Sequence, residues 1–470
     1  MPTALRTTLP VNMRTLLFLL LAGLAQAQSP AGKSNSVRDH GARGDGSADD
    51  TAAIQKAVDA GTGAVFLPRG SYRITKPILL DLARVGPGGF RGDGTATLIM
   101  AGAGPAISIT GTHRGTADPK SVSAVTAERE RAPLIDGFSI TGAHAEADGI
   151  RVEGTIHAIF SRLLLTRLRH GIVLTGRNRN ILIAEVNVYN NTGIGILLEK
   201  LSLHQVNISN SHISYNQAGG IVVRDSEVRN LQIGTCDIEA NMVVGGPPTA
   251  NVLFDTRTGS IREGALTGST LQHYGRARGS ANIRFIGQPD APRKVGFFSI
   301  SDNHISDTDQ NIHLRHARGV NISGNTFGLG FACHLLVEGS SNIALGPNTM
   351  DQNPDYDQPD YRNTVIFEDC SDSTIHGLLI NRSRRAEASL IVRRSHHFQI
   401  TDVTILDSDG VGLLLEQVEW TRVSGCLIHD RRPETKSPVA IRLTAGRKNQ
   451  VSSNLAEGRI ELSPGSTESN

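Results

Sequence analysis

A fixed spacing of about two dozen residues governs this sequence. The segment Ile181-Leu-Ile-Ala-Glu-Val-Asn-Val188 reappears as Val206-Asn-Ile-Ser-Asn-Ser-His-Ile213 and as Leu231-Gln-Ile-Gly-Thr-Cys-Asp-Ile238, each step being 25 residues. Phe138-Ser-Ile140 and Leu163-Leu-Leu165 show the same step of 25. The second half repeats faster: Asn303-His-Ile305, Asn325-Thr-Phe327 and Asn348-Thr-Met350 step by 22 and 23. Ile375, Phe398 and Thr421 then open further units at steps of 23. A repeat of this length is one supersecondary unit that buries its apolar face only against its neighbours, so the chain must stack.

Inside each unit, apolar residues alternate with period two over three to five residues, which is strand periodicity. Strands this short require three per unit to use up the repeat length. Each unit then rises by one inter-strand spacing, and inward side chains stack on their counterparts above and below. The fold expected is an all-β, right-handed parallel β-helix of about 22–25 residues per coil with a short N-terminal capping helix. A leucine-rich repeat has a similar length, but its Leu-x-x-Leu-x-Leu frame is absent. Asn187, Asn303, Asn325 and Asn348 are expected at turns between strands, stacked as a ladder, because Asn tolerates the left-handed conformation.

The ends and inserts set the organisation. Residues 1–27 read as a signal peptide: Arg14 closes a basic region, Leu16 to Leu24 are apolar, and Ala25-Gln-Ala27 is a small-x-small cleavage signal. The apolar run is too short to span a bilayer, so the mature chain is expected to be secreted or periplasmic, with no membrane partner. Without Arg6 and Arg14, the 47 basic side chains fall to 45, against 45 acidic ones. That balance offers nothing to nucleic acid. Residues 28–75 read as a cap, with a helix from Thr51 to Ala60 whose Ile54, Ala57 and Val58 share one face. The helical coil itself is expected over 76–470, broken by inserts near 111–133, 274–282 and 351–363. The four cysteines, Cys236, Cys333, Cys370 and Cys426, form no C-x-x-C pair and sit at strand positions in separate units. They read as buried thiols.

Val37-Arg-Asp-His-Gly-Ala-Arg-Gly-Asp-Gly46, then Asp49-Asp-Thr-Ala-Ala-Ile-Gln-Lys-Ala57, then Val65-Phe-Leu-Pro-Arg-Gly-Ser-Tyr72 resemble the opening of the pectate-lyase-like superfamily. Rhamnogalacturonase/epimerase-like and polygalacturonase-like proteins and phage tailspike domains share this opening. The resemblance implies an extended polysaccharide, bound in a groove along one parallel sheet. Ala147-Asp-Gly-Ile-Arg151 matches the Asp-Gly-Ile of the polygalacturonase catalytic strand, and Arg169-His-Gly-Ile172 matches its His-Gly. The paired aspartates and the Arg-Ile-Lys of that branch are missing.

The catalytic candidates are therefore Asp148, His170, Tyr215, Arg224 and Glu239, with Arg151, Asn191, Asn216, Asn241, His313, Arg315, Tyr356 and Tyr361 as substrate-binding candidates. A lyase needs a cation for the uronate (Arg151 or Arg224), and a base and an acid (His170 or Tyr215). A hydrolase needs two carboxyls at a set separation, and Asp148 and Glu239 lie several coils apart. The expectation is a secreted polysaccharide lyase on an acidic glycan. The alternatives are a glycoside hydrolase and a non-catalytic glycan-binding or surface protein. Asp351, Asn353, Asp355 and Asp357 imitate a calcium loop, but Pro354 stands in it and Arg362 replaces its last acidic ligand, so calcium remains an option rather than an expectation.

Overall fold

The computed structural model describes residues 35–352, 355, 360–433, 439–464 and 466–469. The proposed signal peptide, Asn353, Tyr356 and Asp357 lie outside them. No helix among the described residues is long and apolar enough to cross a membrane.

Short strands follow one another around a coil and pair only in parallel with the coils above and below. Three ladders result. Sheet one runs through Ala147–Glu153, Ala281–Ile286, Thr308–Arg315 and Gly330–Glu338. Sheet two runs through Glu227–Gly234, Ser260–Thr267 and Val295–Ser301. Sheet three is a separate ladder of 16 strands, among them Asn187–Tyr189, His212–Ser214 and Asp237–Glu239. The chain passes from sheet one to two to three and up to the next coil, giving a right-handed parallel β-helix. Ile172–Ala184 and Ile196–Ser209 each cross from sheet one into sheet two without a break.

The repeat found in the sequence is the register of the coils. Ile181 pairs with Val206 and Val206 with Leu231, while Ile140 pairs with Leu165. The 25-residue period has a backbone cause: left-handed residues recur at Asn180, Gln205 and Asn230, at Glu185, Asn210 and Thr235, and at Asn190, Tyr215 and Ala240. Each series marks one bend, and the bends are five residues apart. Asn adopts this conformation more readily than other side chains. One expected step is corrected. Ile375 pairs with Ile400, and Phe398 pairs with Ser373. The two inward positions are two residues apart on one strand, and period-two alternation cannot tell them apart.

The interior is a set of apolar stacks. In the middle of the helix Phe254 and Phe285 stack with ring centres 4.7 Å apart, and Phe298 meets both edge-on at 5.4 Å. The helix Thr51–Asp59 covers the first coils with Ile54, Ala57 and Val58 buried. Its N-terminal Asp50 is turned away from it and accepts from the amides of Arg43 (2.7 Å) and Gly44 (3.0 Å), which ties the cap's entry loop. All four cysteines are buried and unpaired, and burial pushes the thiols of Cys333 and Cys370 up to about 12.

Asn303, Asn325 and Asn348 form the expected ladder between sheets two and three. Asn303 Nδ2 donates to Asn325 Oδ1 at 3.0 Å, and Asn325 Nδ2 to Asn348 Oδ1 at 2.9 Å. Their neighbours Asp302 and Gly324, not the asparagines, take the left-handed turn. Asn187 is exposed and stands outside the ladder, one residue past the buried Val186 that occupies the equivalent position. Asn325→Ala strands the Asn303 amide and side chain. It should cost about 2–3 kcal/mol, on the scale of a buried polar group left unmade, and equilibrium denaturation would measure it.

Candidate active site

The outer face of sheet one is bounded by the corner that follows sheet three. That corner carries Tyr274–Ser280 and the described residues of the 351–363 insert. The inserts at 111–133 and at Gly287–Lys294 occupy the opposite corner, between sheets one and two. One outward row of sheet one is set by register: Arg151, Val173, Leu197, Val222, Leu253, Arg284, His313, Leu336, Ile366. Most of this row is apolar, and Val173, Leu197 and Val222 are buried with Ile194 in one cluster. Arg284 and His313, on adjacent coils, interrupt it.

Arg284 Nη2 donates to Gly279 O at 2.5 Å and to Gln310 Oε1 at 2.8 Å. Its Nε is buried and has no partner, and no carboxylate among the described residues lies within ion-pair distance of it. Burial disfavours its charged form, and Asp309 offsets this only in part. Asp309 instead grips the neighbouring loop, accepting from Arg276 Nε (2.8 Å) and the Gly279 amide (2.8 Å). Arg276 also reaches Asp360 at 3.3 Å, which joins the two loops over the site.

His313 Nε2 lies 2.6 Å from Glu338 Oε2, and this bond holds the Glu338 carboxyl below its usual range. The other ring nitrogen, Nδ1, is buried and has no hydrogen-bond partner. Arg315, two residues along the same strand, is exposed and pairs in register with Glu338. The cluster is thus a cation without a counterion, an imidazole oriented by a carboxylate, and a second cation. The sequence offers His313 and Arg315 as substrate-binding candidates, and the structure brings them together here. Arg284 and Glu338 were missed, although Ile283-Arg-Phe285 and Leu335-Leu-Val337-Glu338 repeat the pattern of Ile312-His-Leu314-Arg315. The Arg- and Gly-rich insert just before Ala281 hid the alignment.

The other candidates divide. Asp148 is nearly buried and accepts from Arg169 Nε (2.9 Å), Arg169 Nη2 (2.7 Å) and the His170 amide (3.1 Å), so it clamps a corner. His170 Nδ1 accepts from the Ile194 amide at 3.0 Å, and burial lowers its pKa, which keeps it a neutral backbone acceptor. Arg224 is paired with Glu199 at 2.6 Å. Glu239 sits on sheet three and takes a hydrogen bond from Gln272 Nε2 at 2.7 Å. Three coils at about 4.8 Å each and a different sheet separate it from Asp148, more than the roughly 5–9.5 Å of a hydrolase pair. Arg151 is exposed, five coils before Arg284 in the same row.

Asn191, Asn216 and Asn241 are corrected outright. All three are fully buried, and they continue through Asn251, Asn282 and Asn311 to His334 as one chain of side-chain hydrogen bonds of 2.7–3.0 Å. Their amides satisfy one another and the backbone, so none faces a ligand. Burial drives the terminal His334 down to about 3. Tyr361 is also corrected: it is buried against Leu329 and Phe331. Tyr356 lies outside the described residues. Tyr215 is exposed, and its ring stacks on that of Tyr274 at 6.4 Å and 25°, a two-ring shelf on the corner before sheet one. Among the described residues no group of three or more His, Cys, Asp or Glu side chains could hold a metal ion. A cleft of about 530 Å³ on sheet two is lined by amides and aliphatic residues such as Asn180, Gln205 and Gln232, and holds no titratable group.

The comparisons agree with this architecture. Residues 34–96 match the family model described as "Rhamnogalacturonase A/epimerase, pectate lyase-like". Among characterised proteins, mannuronan C5-epimerase AlgE3 of Azotobacter vinelandii is 57% identical over 44 residues, 8% of this chain and 2% of that protein. Alginate lyase 7 of the same organism is 54% identical over 44 residues, 8% of this chain and 5% of that protein. The chain therefore spans only a small part of the length of these relatives. Among solved structures, the pre-mature bacteriophage phi29 gene product 12 superposes with a TM-score of 0.57 at 16% identity, over 95% of this chain and 57% of that one, a likeness of fold. The model for the right-handed β-helix region matches residues 118–255 and 293–456, most of the chain, and the protein belongs to that family.

Proposed function

We propose that the protein is an exported, carbohydrate-active enzyme that cleaves an acidic polysaccharide by β-elimination, in the groove on sheet one. The observation that carries this reading is the buried, counterion-free guanidinium of Arg284 beside an imidazole that Glu338 orients. A uronate carboxylate supplies the missing partner of Arg284. Neutralising it acidifies the adjacent C5 proton, and His313 takes that proton once its ring turns to bring the buried Nδ1 to the groove. The C5–H electron pair then forms the C4–C5 double bond, the C4–O bond breaks, and the departing oxygen receives the proton from His313. Arg315 binds the next acidic residue of the chain, and Tyr215 and Tyr274 offer ring faces to a sugar further along.

The names of the relatives fit this step, since C5-epimerisation and alginate elimination both begin with removal of the C5 proton. A two-carboxylate hydrolysis is disfavoured, because Asp148, Glu199, Asp255, Glu338 and Glu368 on sheet one are each held by an arginine or a histidine, which leaves Glu153 as a carboxylate of that sheet with no ion pair among the described residues. The aromatic shelf also suits a protein that binds glycan without turning it over. A panel of uronate polymers separates the readings. The expected result is unsaturated product absorbing in the ultraviolet. New reducing ends without that absorbance would mean hydrolysis, binding alone would mean a glycan-binding protein, and no binding would overturn the proposal.

A further inference from the structure

A second, separate concentration of positive charge lies at the corner between sheets one and two, under the insert at 111–133. Arg177 and Arg179 point the same way from one strand, with the fully buried Asn178 between them pointing inward. His204 is the register partner of Arg179 on the next coil. The insert is laid over them. Arg179 Nη1 donates to Thr116 O at 2.8 Å and to Ala117 O at 2.7 Å, and the His113 amide donates to Gly154 O at 2.9 Å. His113 is thereby buried against the arginines.

These cations have no counterion. Arg177 makes one side-chain bond, Nη1 to Ser202 Oγ at 2.5 Å, while its Nε and Nη2 are buried without partners. His113 Nε2 and His204 Nδ1 are buried and unpartnered as well. The acids nearby are committed or set aside. Glu130, at the end of the insert's helix, has both oxygens on Thr112 (2.6 and 2.7 Å). Glu153 lies against Gly176 and Glu263 beyond His204, and neither forms an ion pair with Arg177 or Arg179. A neighbouring cleft of about 340 Å³ opens beneath the insert helix; it shares Arg179 with this cluster, is otherwise walled by residues including Arg131 and His157, and has no acidic residue, while Arg177, His113 and His204 lie outside its lining. Leaving a buried charge unpaired costs several kcal/mol in a folded protein, so an arrangement of this kind is explained by an anion that completes it.

We infer that Arg177, Arg179, His113 and His204 form an oxyanion-binding site, roofed by the insert, for a sulfate or carboxylate group. Such a group comes either from an acidic glycan or from a free inorganic ion. The site is independent of the sheet-one groove. Its titration supports the assignment: burial, then Arg177 and Arg179, hold His113 down at about 4, and the same causes lower His204. A bound anion raises both imidazoles, adding to the pull of Glu130 on His113 and of Glu263 on His204 and opposing Arg114, Arg177 and Arg179. Binding therefore takes up protons. Affinity rises as pH falls and levels off below about 4, where His113 is protonated even without ligand.

The test is thermal unfolding of the full chain in sulfate, in a uronate oligosaccharide and in chloride at equal ionic strength, for the natural protein and Arg177→Gln. Because sulfate stabilises folded proteins in general, the response is read as the difference between the two proteins. Arg177→Gln should raise the unfolding midpoint without anion and weaken the anion response at least about tenfold. Loss of a purely structural arginine would lower the midpoint and leave the anion response unchanged. Should that variant not fold, His113→Asn and the NMR titration of His113, expected to move up with anion, serve in its place. A larger response to the oligosaccharide assigns the site to a glycan, and an equal response to sulfate assigns it to a free oxyanion. If neither anion exceeds chloride, or Arg177→Gln keeps the full response, the inference fails. Loss of polysaccharide turnover with this response intact bears on the sheet-one groove alone.

Discussion

His313→Ala should lower turnover on the acidic polysaccharide by about 10²–10⁴-fold, the range of a positioned general base, and leave the unfolding midpoint close to that of the natural protein. The imidazole is on the outer face of sheet one and its bond to Glu338 is partly open to solvent, so its loss opens no cavity in the core. Arg284→Ala should cost a comparable amount, about 10²–10³-fold, since it removes the charge proposed to meet the uronate. Asp148→Ala provides the contrast. It releases Arg169 and the His170 amide, so it should lower stability while leaving turnover per folded molecule unchanged. Steady-state rates on matched folded fractions separate the two behaviours. A turnover loss in Asp148→Ala with none in His313→Ala would return the chemistry to the first coils.

Phe285→Ala should destabilise the protein by about 3–5 kcal/mol, the cost of emptying a large buried aromatic site. Phe285 is sandwiched between the ring of Phe254 on the coil before and the edge of Phe298. Both neighbours are held by ladders of parallel hydrogen bonds, so the gap cannot close by collapse of one strand. In a stacked repeat each coil contacts only its neighbours, so the loss is expected to show as earlier opening of the central coils. Hydrogen exchange resolved along the chain would report it, with protection lost first around Asn251–Leu314. Because Arg284 precedes Phe285 on the strand, the same substitution should also loosen the candidate site, and turnover should fall with it.

How far the sequence could be read follows from which signals are periodic. Ile181, Val206 and Leu231 announce their register, because each coil repeats the same inward positions. Phe398 was placed one inward position off because alternation carries no absolute phase. The asparagines show the limit more sharply. Asn191, Asn216 and Asn241 recur at 25 residues and precede the openings of sheet one, as groove residues would. A periodic polar residue is equally suited to an internal ladder, and only the hydrogen bonds decide between the two. The reverse failure occurred at Arg284 and Glu338, where the Tyr274–Ser280 insert interrupts the spacing and removes the phase that would have aligned Arg284 with His313. Asp148 and His170 matched a motif, yet here the motif's side chains hold the backbone of a corner. Residue type was legible there, and its use was not.

In the proposed reaction, the chemistry begins with removal of the proton next to a uronate carboxylate, by His313 with Arg284 as the cation. The most direct measurement follows that C5 proton by NMR in a defined uronate oligomer incubated in D₂O with the natural protein and with Arg284→Ala. The C5–H signal should be lost, as unsaturated product or as deuterium at C5, with the natural protein and not with the variant. Cleavage to new reducing ends with the C5 proton fully retained would contradict it.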